Sequence, residues 1–346
     1  MKIVIDAFGG DNAPLAIVKG GIESLKESEG FSIIFTGKAD EINKILDEYC
    51  PENLRNRIEI ENCSEVITND DIPTVAIRKK TDSSLVKGFK LLKENDDVGA
   101  LISAGSTGAV LTGATLKVGR IKGVSRPALA PALPTVKGGY VMLIDCGANA
   151  ECKPINLVHF AVMASNYMKV MYGVENPRVA LLANGTEDHK GTQLTQETFG
   201  MLKQIESLNF VGNMEARDVL SGNYDVVVCD GFSGNICLKS LEGMSVSMMK
   251  MIKQGVMSSF KAKVGVLFMK GVFRNLKKKM DYNSNGGAMF LGVEGIVVKA
   301  HGAATEKTIK STVLQAKEAV EGDVIGKIKK TLETVDFDTL CKADNL

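Results

Sequence analysis

VVVCDGFSGNICLKSLEGM, residues 226–244, decides the fold. Val226, Val227 and Val228 form a β-branched run that suits a strand buried on both faces. The run stops at Asp230. Gly231 and Gly234 predict a turn, and Asn235 to Leu241 reads as a helix with Ile236, Leu238 and Leu241 on one stripe. A strand that ends in an acid and passes through glycines into a helix aims side chains and backbone N–H groups into one crevice. Open α/β sheets bind their ligands in such crevices.

The same unit recurs outward from this stretch. Residues 2–5 read as a strand ending in Asp6, followed by Gly9, Gly10 and Asp11, with Pro14 in the first turn of a helix. A strand at 140–144 ends in Asp145, with Gly147 and Asn149 in its turn. Further strands are expected at 32–36, 58–61, 98–103, 178–183 and 296–299, the last ending at His301 and Gly302. Strands alternating with helices at this spacing predict an α/β fold with a largely parallel, doubly wound sheet. The segment from Thr305 onward predicts two polar-faced helices. No low-complexity linker or internal repeat divides the chain, so 1–346 reads as one domain.

Composition narrows the function classes. A net charge of +1 gives no global basic field, so nucleic-acid binding is not expected. Seven cysteines without a CxxC pair suggest reduced thiols and the cytoplasm. The start, MKIVIDAFGG, meets Asp6 too early for a signal peptide, and no apolar run approaches the ~18 residues of a membrane span. The three histidines, His159, His189 and His301, are scattered, and no metal-ligand spacing appears. No metal or cofactor is expected. Cys146 and Cys229 sit beside strand-end acids that would suppress thiol reactivity, and both read as apolar filler.

Two turns carry polar chemistry. In SAGSTGA (103–109), Gly105 and Gly108 allow close backbone approach while Ser103, Ser106 and Thr107 supply hydroxyls. An anion cradle and a tightly packed strand-to-helix turn fit this spacing equally well. In NGTEDHKGT (184–192), Lys190 lies between glycines. The recurring strand-end Asp residues with these two turns favour one shared polar cleft over a series of unrelated helix caps. A cleft of amides, Asp, Asn and Lys suits transfer to or from a small anion without a covalent enzyme intermediate.

Between 245 and 282 the composition changes. Met248, Met249, Met251, Ile252, Val256 and Met257 predict a helix, and VGVLFMKGVF (264–273) reads as the apolar tip of a helical hairpin. The tip presents Val266, Leu267, Phe268, Met269 and Phe273, flanked by Lys263, Lys270 and Arg274, with no acidic residue before Asp281. Such a hairpin suits an anionic membrane surface or an acidic protein. The alternative is a pair of dimer-interface helices with solvated lysines.

The motifs DAFGGDNAP (6–14), SAGSTGA (103–109), RPALA (126–130), DCGAN (145–149), GTEDHKG (185–191), VVVCDGFSGN (226–235) and DYNSNGGAMFLGVEGIVVKAHG (281–302) occur in one collinear series. The series resembles the bacterial acyl-carrier-protein:phosphate acyltransferases, the PlsX family. Phe8, Ser106 and Met289-Phe290 depart from that family's usual Met, Asn and Pro-Leu. The resemblance implies a three-layer α/β/α sandwich like isocitrate dehydrogenase and phosphotransacetylase, with two intertwined subdomains and a homodimer. It implies peripheral attachment to the cytoplasmic membrane, with acyl carrier protein and orthophosphate as substrates.

On this reading Lys190 is the cation at the phosphate or oxyanion, and Asp230 orients Lys190 or accepts the phosphate proton. Asn235 donates to the thioester carbonyl, and the Ser103–Gly108 turn supplies amides to the phosphate. Asp6, Asp11, Arg126, Asp145 and Asn149 shape the cleft with the flanking glycines and His301. The alternatives are a phosphotransacetylase-like enzyme using coenzyme A, or a non-catalytic membrane scaffold for lipid enzymes.

Overall fold

Two sheets, interleaved in sequence, organise the computed structural model, which describes residues 1–280 and 286–342. The chain starts as β1 (Lys2–Asp6), α1 (Leu15–Glu27), β2 (Ser32–Gly37), α2 (Ala39–Tyr49), α3 (Glu52–Arg55) and β3 (Ile58–Asn62). It continues through α4 (Pro73–Lys79), α5 (Ser84–Glu94), β4 (Val98–Ser103) and α6 (Thr107–Gly113). β5 (Ala128–Ala130) and β6 (Ala132–Pro134) follow, separated by Pro131. Proline cannot donate to a sheet ladder, and at Pro131 the chain passes from the first sheet into the second.

The second sheet is built from β6, β7 (Tyr140–Ile144), β8 (Val179–Ala183), β9 (Phe210–Glu215) and β10 (Val226–Val228), in the order β6-β7-β10-β8-β9. Its helices are α7 (Pro154–Tyr172) and α8 (Gln193–Lys203). After β10 come the long helices α9 (Gly231–Met257) and α10 (Phe260–Met280). The chain then returns to the first sheet as β11 (Ala288–Leu291) and β12 (Ile296–Lys299), completing the order β3-β2-β1-β4-β12-β11-β5. It ends in α11 (Glu306–Glu321), α12 (Val324–Thr334) and α13 (Phe337–Lys342).

The predicted α/β fold holds, with β6 and β11 antiparallel to their neighbours. The strands divide between two sheets instead of one continuous sheet. Helix α7 shows why the second sheet is stable: residues 156–168 are buried throughout, so the helix is apolar all round and lies inside the core. α11 buries Ile309, Val313 and Ala316 at helical spacing against α1, while Glu306, Lys307, Glu318 and Glu321 form its expected polar face. Gly20 of α1 permits that contact, because a Cβ there would stand 2.5 Å from Ile309 Cβ.

Two expectations around α9 are corrected. The helix begins at Gly231, not at Asn235, because Asp230 caps it: Asp230 Oδ1 accepts from Ser233 N at 2.8 Å. Gly231 and Gly234 lie inside the first turn, where a Cβ at Gly234 would stand 2.0 Å from the Asp145 carbonyl oxygen. These glycines let the helix seat against the β7–α7 turn. The hairpin turn falls between Met257 and Phe260, so 264–273 forms the body of α10 and not its tip.

Candidate active site

The carboxyl ends of the parallel strands of both sheets meet at one edge. In the first sheet, pairing register sets Asp6 (β1) opposite Ser103 (β4), and Ser103 opposite Lys299 (β12). Residues in register on parallel strands project to the same face, so these three side chains form a row. Ser103 Oγ donates to Asp6 Oδ2 at 2.7 Å and accepts from Gly105 N at 3.0 Å, while Phe8 N donates to Asp6 Oδ1. Asp6 is fully buried, and burial pushes its pKa up against the opposing hydrogen bonds of Ser84 and Ser103.

In the second sheet, Asp145 directly follows β7 and is buried. Its carboxylate accepts from Leu129 N (2.9 Å), Ala148 N (3.1 Å), Asn149 N (2.7 Å) and Asn149 Nδ2 (2.9 Å). Burial still pushes its pKa up. The Asp145 oxygens are thus committed to building the turn on which α9 rests. Asp230 is likewise engaged, both oxygens bonding Ser233.

Between the two sheet ends lies a cavity of about 330 Å³, a volume that suits a small ligand. Thr107, Gly147, Asn235 and His301 line it, together with Lys239, Glu242 and Lys299. On α9, Asn235, Leu238, Lys239 and Glu242 follow i, i+3, i+4, i+7 spacing and present one face to the cavity. Lys239 pairs with Glu242 at 2.8 Å. Asn235 is exposed to the cavity, and its carboxamide makes no hydrogen bond among the described residues. His301 Nδ1 accepts from Ala303 N at 3.1 Å, and burial and the Lys239 ammonium lower its pKa.

Lys299 is the residue sequence reasoning missed. It is 8% exposed, and its Nζ donates to Ala104 O at 3.3 Å and to Ala300 O. Burial pulls its pKa down to about 8, with Lys239 adding to the effect and Asp11 and Asp6 opposing it. A folded-state pKa below the unfolded 10.5 means the native protein binds fewer protons, so this residue destabilises the fold at neutral pH and less so as pH rises from about 8 to 10.5. Lys299→Met is therefore expected to exceed wild type in stability at pH 7, by up to about 3 kcal/mol. In urea unfolding at pH 7 and pH 10, that advantage should shrink at the higher pH.

The other sequence-predicted residues are placed as follows. Of the 103–108 turn only Thr107 lines the cavity; Gly105 N is spent on Ser103, and Gly108 packs on Pro73. Gly9 and Gly10 pack against Gly105, Ala104 and Gly302, so these glycines serve the interlocking of turns. Ser106 is the residue preceding α6. Asp11 is exposed, and its backbone N–H donates to Gly302 O at 2.8 Å. Arg126 is exposed, and Asn149 is buried on Asp145 and Pro127.

Lys190 is half-buried in the turn after β8, the strand adjacent to β10, so it stands at the same sheet edge as Asp230. No ion pair or hydrogen bond joins the two side chains among the described residues, and neither lines the cavity.

On α10, Lys263, Phe268, Met269, Lys270 and Arg274 are exposed, whereas Val266 and Phe273 face a groove shared with α9. The Leu267 side chain and residues 281–285 lie outside the described residues. No helix among the described residues is long and apolar enough to cross a membrane. Cys146 and Cys229 are buried, burial raises both thiols, and the acid beside them adds to it. His159 is a core residue, edge-on to Phe337 at 4.5 Å, and burial lowers its pKa to about 4.

Comparison with known proteins adds the family. The model of the fatty acid synthesis protein family matches residues 1–327. A phosphate acyltransferase of Clostridium novyi is 49% identical over 333 residues, covering 96% of this chain and 99% of the relative. One of Clostridioides difficile is 46% identical over 330 residues, covering 95% and 96%. Among solved structures, the EutD phosphotransacetylase from Staphylococcus aureus matches with a TM-score of 0.59 at 16% identity, over 93% of this chain and 94% of its own. The branched-chain phosphotransacylase from Enterococcus faecalis gives 0.57 at 14% identity, over 92% and 99%. These two share the fold. With a model spanning nearly its whole length and relatives this similar, the chain belongs to the fatty acid synthesis protein family, the PlsX family that its motifs resemble.

Proposed function

We propose that the protein transfers a long-chain acyl group from acyl carrier protein to orthophosphate, giving acyl phosphate for phospholipid synthesis. Phosphate acyltransferase is the name its near full-length relatives carry. The observation that carries the reading is the cavity itself: polar and cationic groups from both sheets converge at the strand ends.

The reaction needs little covalent chemistry from the protein. A phosphate oxygen attacks the thioester carbon, the C–S bond breaks with its electron pair on sulfur, and the phosphate proton ends on the carrier thiol. Phosphate, with a second pKa of about 6 by analogy with phosphoesters, is largely dianionic at neutral pH. The site has to position it and stabilise the oxyanion that develops on the carbonyl. Asn235 donates to that oxygen from the first turns of α9, and Lys190, which does not itself line the cavity, is assigned to the same charge from the neighbouring strand end. Asp230 acts through the helix it caps, fixing where Asn235 stands. Asp6, Asp145 and Asn149 hold the turns that form the walls.

The acyl carrier protein is assigned as donor because 245–280 contains no acidic residue and bears exposed Lys250, Lys261, Lys263, Lys270 and Arg274. A basic surface of this kind receives an acidic protein or an anionic membrane face, and peripheral attachment to the membrane is assigned to the same hairpin, whereas the homodimer rests on the family resemblance alone. Coenzyme A would not need that surface. Purified protein incubated with labelled phosphate and either acyl-carrier-protein thioester or acyl-coenzyme A tests the assignment. Acyl phosphate formed faster from the carrier thioester supports it. Preference for the coenzyme A thioester overturns the donor, and absence of product from either overturns the activity.

A further inference from the structure

Lys299 presents a physical problem that the acyl-transfer reading does not by itself resolve. Its ammonium is buried, and among the described residues no carboxylate comes within ion-pair distance of it. Asp6 stands two strands away, about 10 Å at ordinary strand spacing, and is already engaged by Ser103 and Phe8. Asp11 is exposed, with its carboxylate beside Gly302, and it acts on Lys299 only from beyond ion-pair distance. A buried ammonium without a direct ion pair costs several kcal/mol, which the more distant Asp11 and Asp6 offset only in part. Two of its N–H bonds are spent on the carbonyls of Ala104 and Ala300, which leaves one more. That donor belongs to a side chain lining the cavity, which Thr107 also lines.

We propose that Lys299 is a catalytic residue whose ammonium holds the phosphate nucleophile in this cavity. The substrate supplies the charge that the protein withholds. This rests on the acyl-transfer reading and deepens it by separating two duties: Lys299 binds the attacking anion from the first sheet, while Asn235 faces the carbonyl from the second. Lys239 does not fill the same role, because Glu242 neutralises it at 2.8 Å. During the step Lys299 stays protonated. The phosphate oxygen bonds to carbon, sulfur leaves with the electron pair, and the proton lost is the phosphate's own.

Phosphate titrations of wild type, Lys299→Met and Lys299→Arg test this, with thermal melts at increasing inorganic phosphate as a readout free of turnover. Removing a buried charge that has no protein counter-ion should leave a folded protein. Lys299→Met is expected to lose on the order of 100-fold in kcat/KM for phosphate, to lose the phosphate-dependent rise in Tm, and to keep the KM for the thioester donor. Lys299→Arg should recover part of the loss. A Met variant with the wild-type phosphate KM and Tm response would overturn the proposal. If the variants fail to fold, slowing of Lys299 modification in wild type by an amine-acylating reagent reads the same contact; a modification rate indifferent to phosphate would overturn it. Wild type that binds phosphate through Lys299 but makes no acyl phosphate would instead refute the acyl-transfer reading alone.

Discussion

Asn235→Ala is expected to lower kcat by about two to three orders of magnitude, the usual effect of removing one donor to a developing oxyanion, with little change in stability. The side chain is exposed and makes no hydrogen bond among the described residues; its contact is with Gly147, where an added Cβ would stand 3.4 Å from Asn235 Cγ. Alanine also favours a helix interior more than asparagine does. Unfolding free energy should therefore stay within about 0.5 kcal/mol of wild type. Lys190→Ala is expected to behave in the same way, with orders of magnitude lost in kcat in a folded protein. Single-turnover rates with acyl-carrier-protein thioester separate chemistry from binding, and near-normal turnover in Asn235→Ala would remove it from the reacting atoms.

Asp145→Ala is expected to do the reverse, attacking the fold before the chemistry. Its carboxylate receives four donors from Leu129, Ala148 and Asn149 in a buried turn. Leaving buried donors unpaired costs about 1–3 kcal/mol each. The summed loss, on the order of 4 kcal/mol or more after relaxation, is a large part of a domain's ~5–15 kcal/mol. The turn also carries the α9 N-terminus, since Gly231 N donates to Asn149 O at 2.8 Å. Urea unfolding should show a steep fall in midpoint, or the variant should be insoluble. A loss below about 1 kcal/mol would show that the turn holds without its carboxylate.

The strand ends were legible because local chemistry marks them. Asp6, Asp145 and Asp230 stand where β-branched or aliphatic runs stop and glycines begin: Asp6 ends a strand, Asp145 follows one, and Asp230 caps the next helix. The division into two sheets was not legible. It turns on β5 and β6, three residues each: β5 pairs with the distant β11 while β6 pairs with the next strand, β7, with only Pro131 to mark the crossing. Glycines at 9, 10, 105 and 234 signalled close approach, and the atoms approached are those of neighbouring turns. Sequence spacing cannot tell a ligand from a second turn. Lys299 was hidden for a related reason: after Val297 and Val298 a lysine reads as a strand exit to solvent, and only the pairing with Ser103 reveals it as buried. One signal was available and unused. Lys239 and Glu242 share a helical face with Asn235, so fixing one of them in the site fixes all three.

On the proposed reading, the cavity between the two sheets' carboxyl ends holds phosphate beside the acyl carbonyl. A crystal structure of the protein soaked with inorganic phosphate tests it most directly. A tetrahedral anion is expected within hydrogen-bond distance of Lys299 Nζ, in the cavity that Asn235 also lines. Phosphate bound elsewhere, with this cavity holding only water, would contradict it.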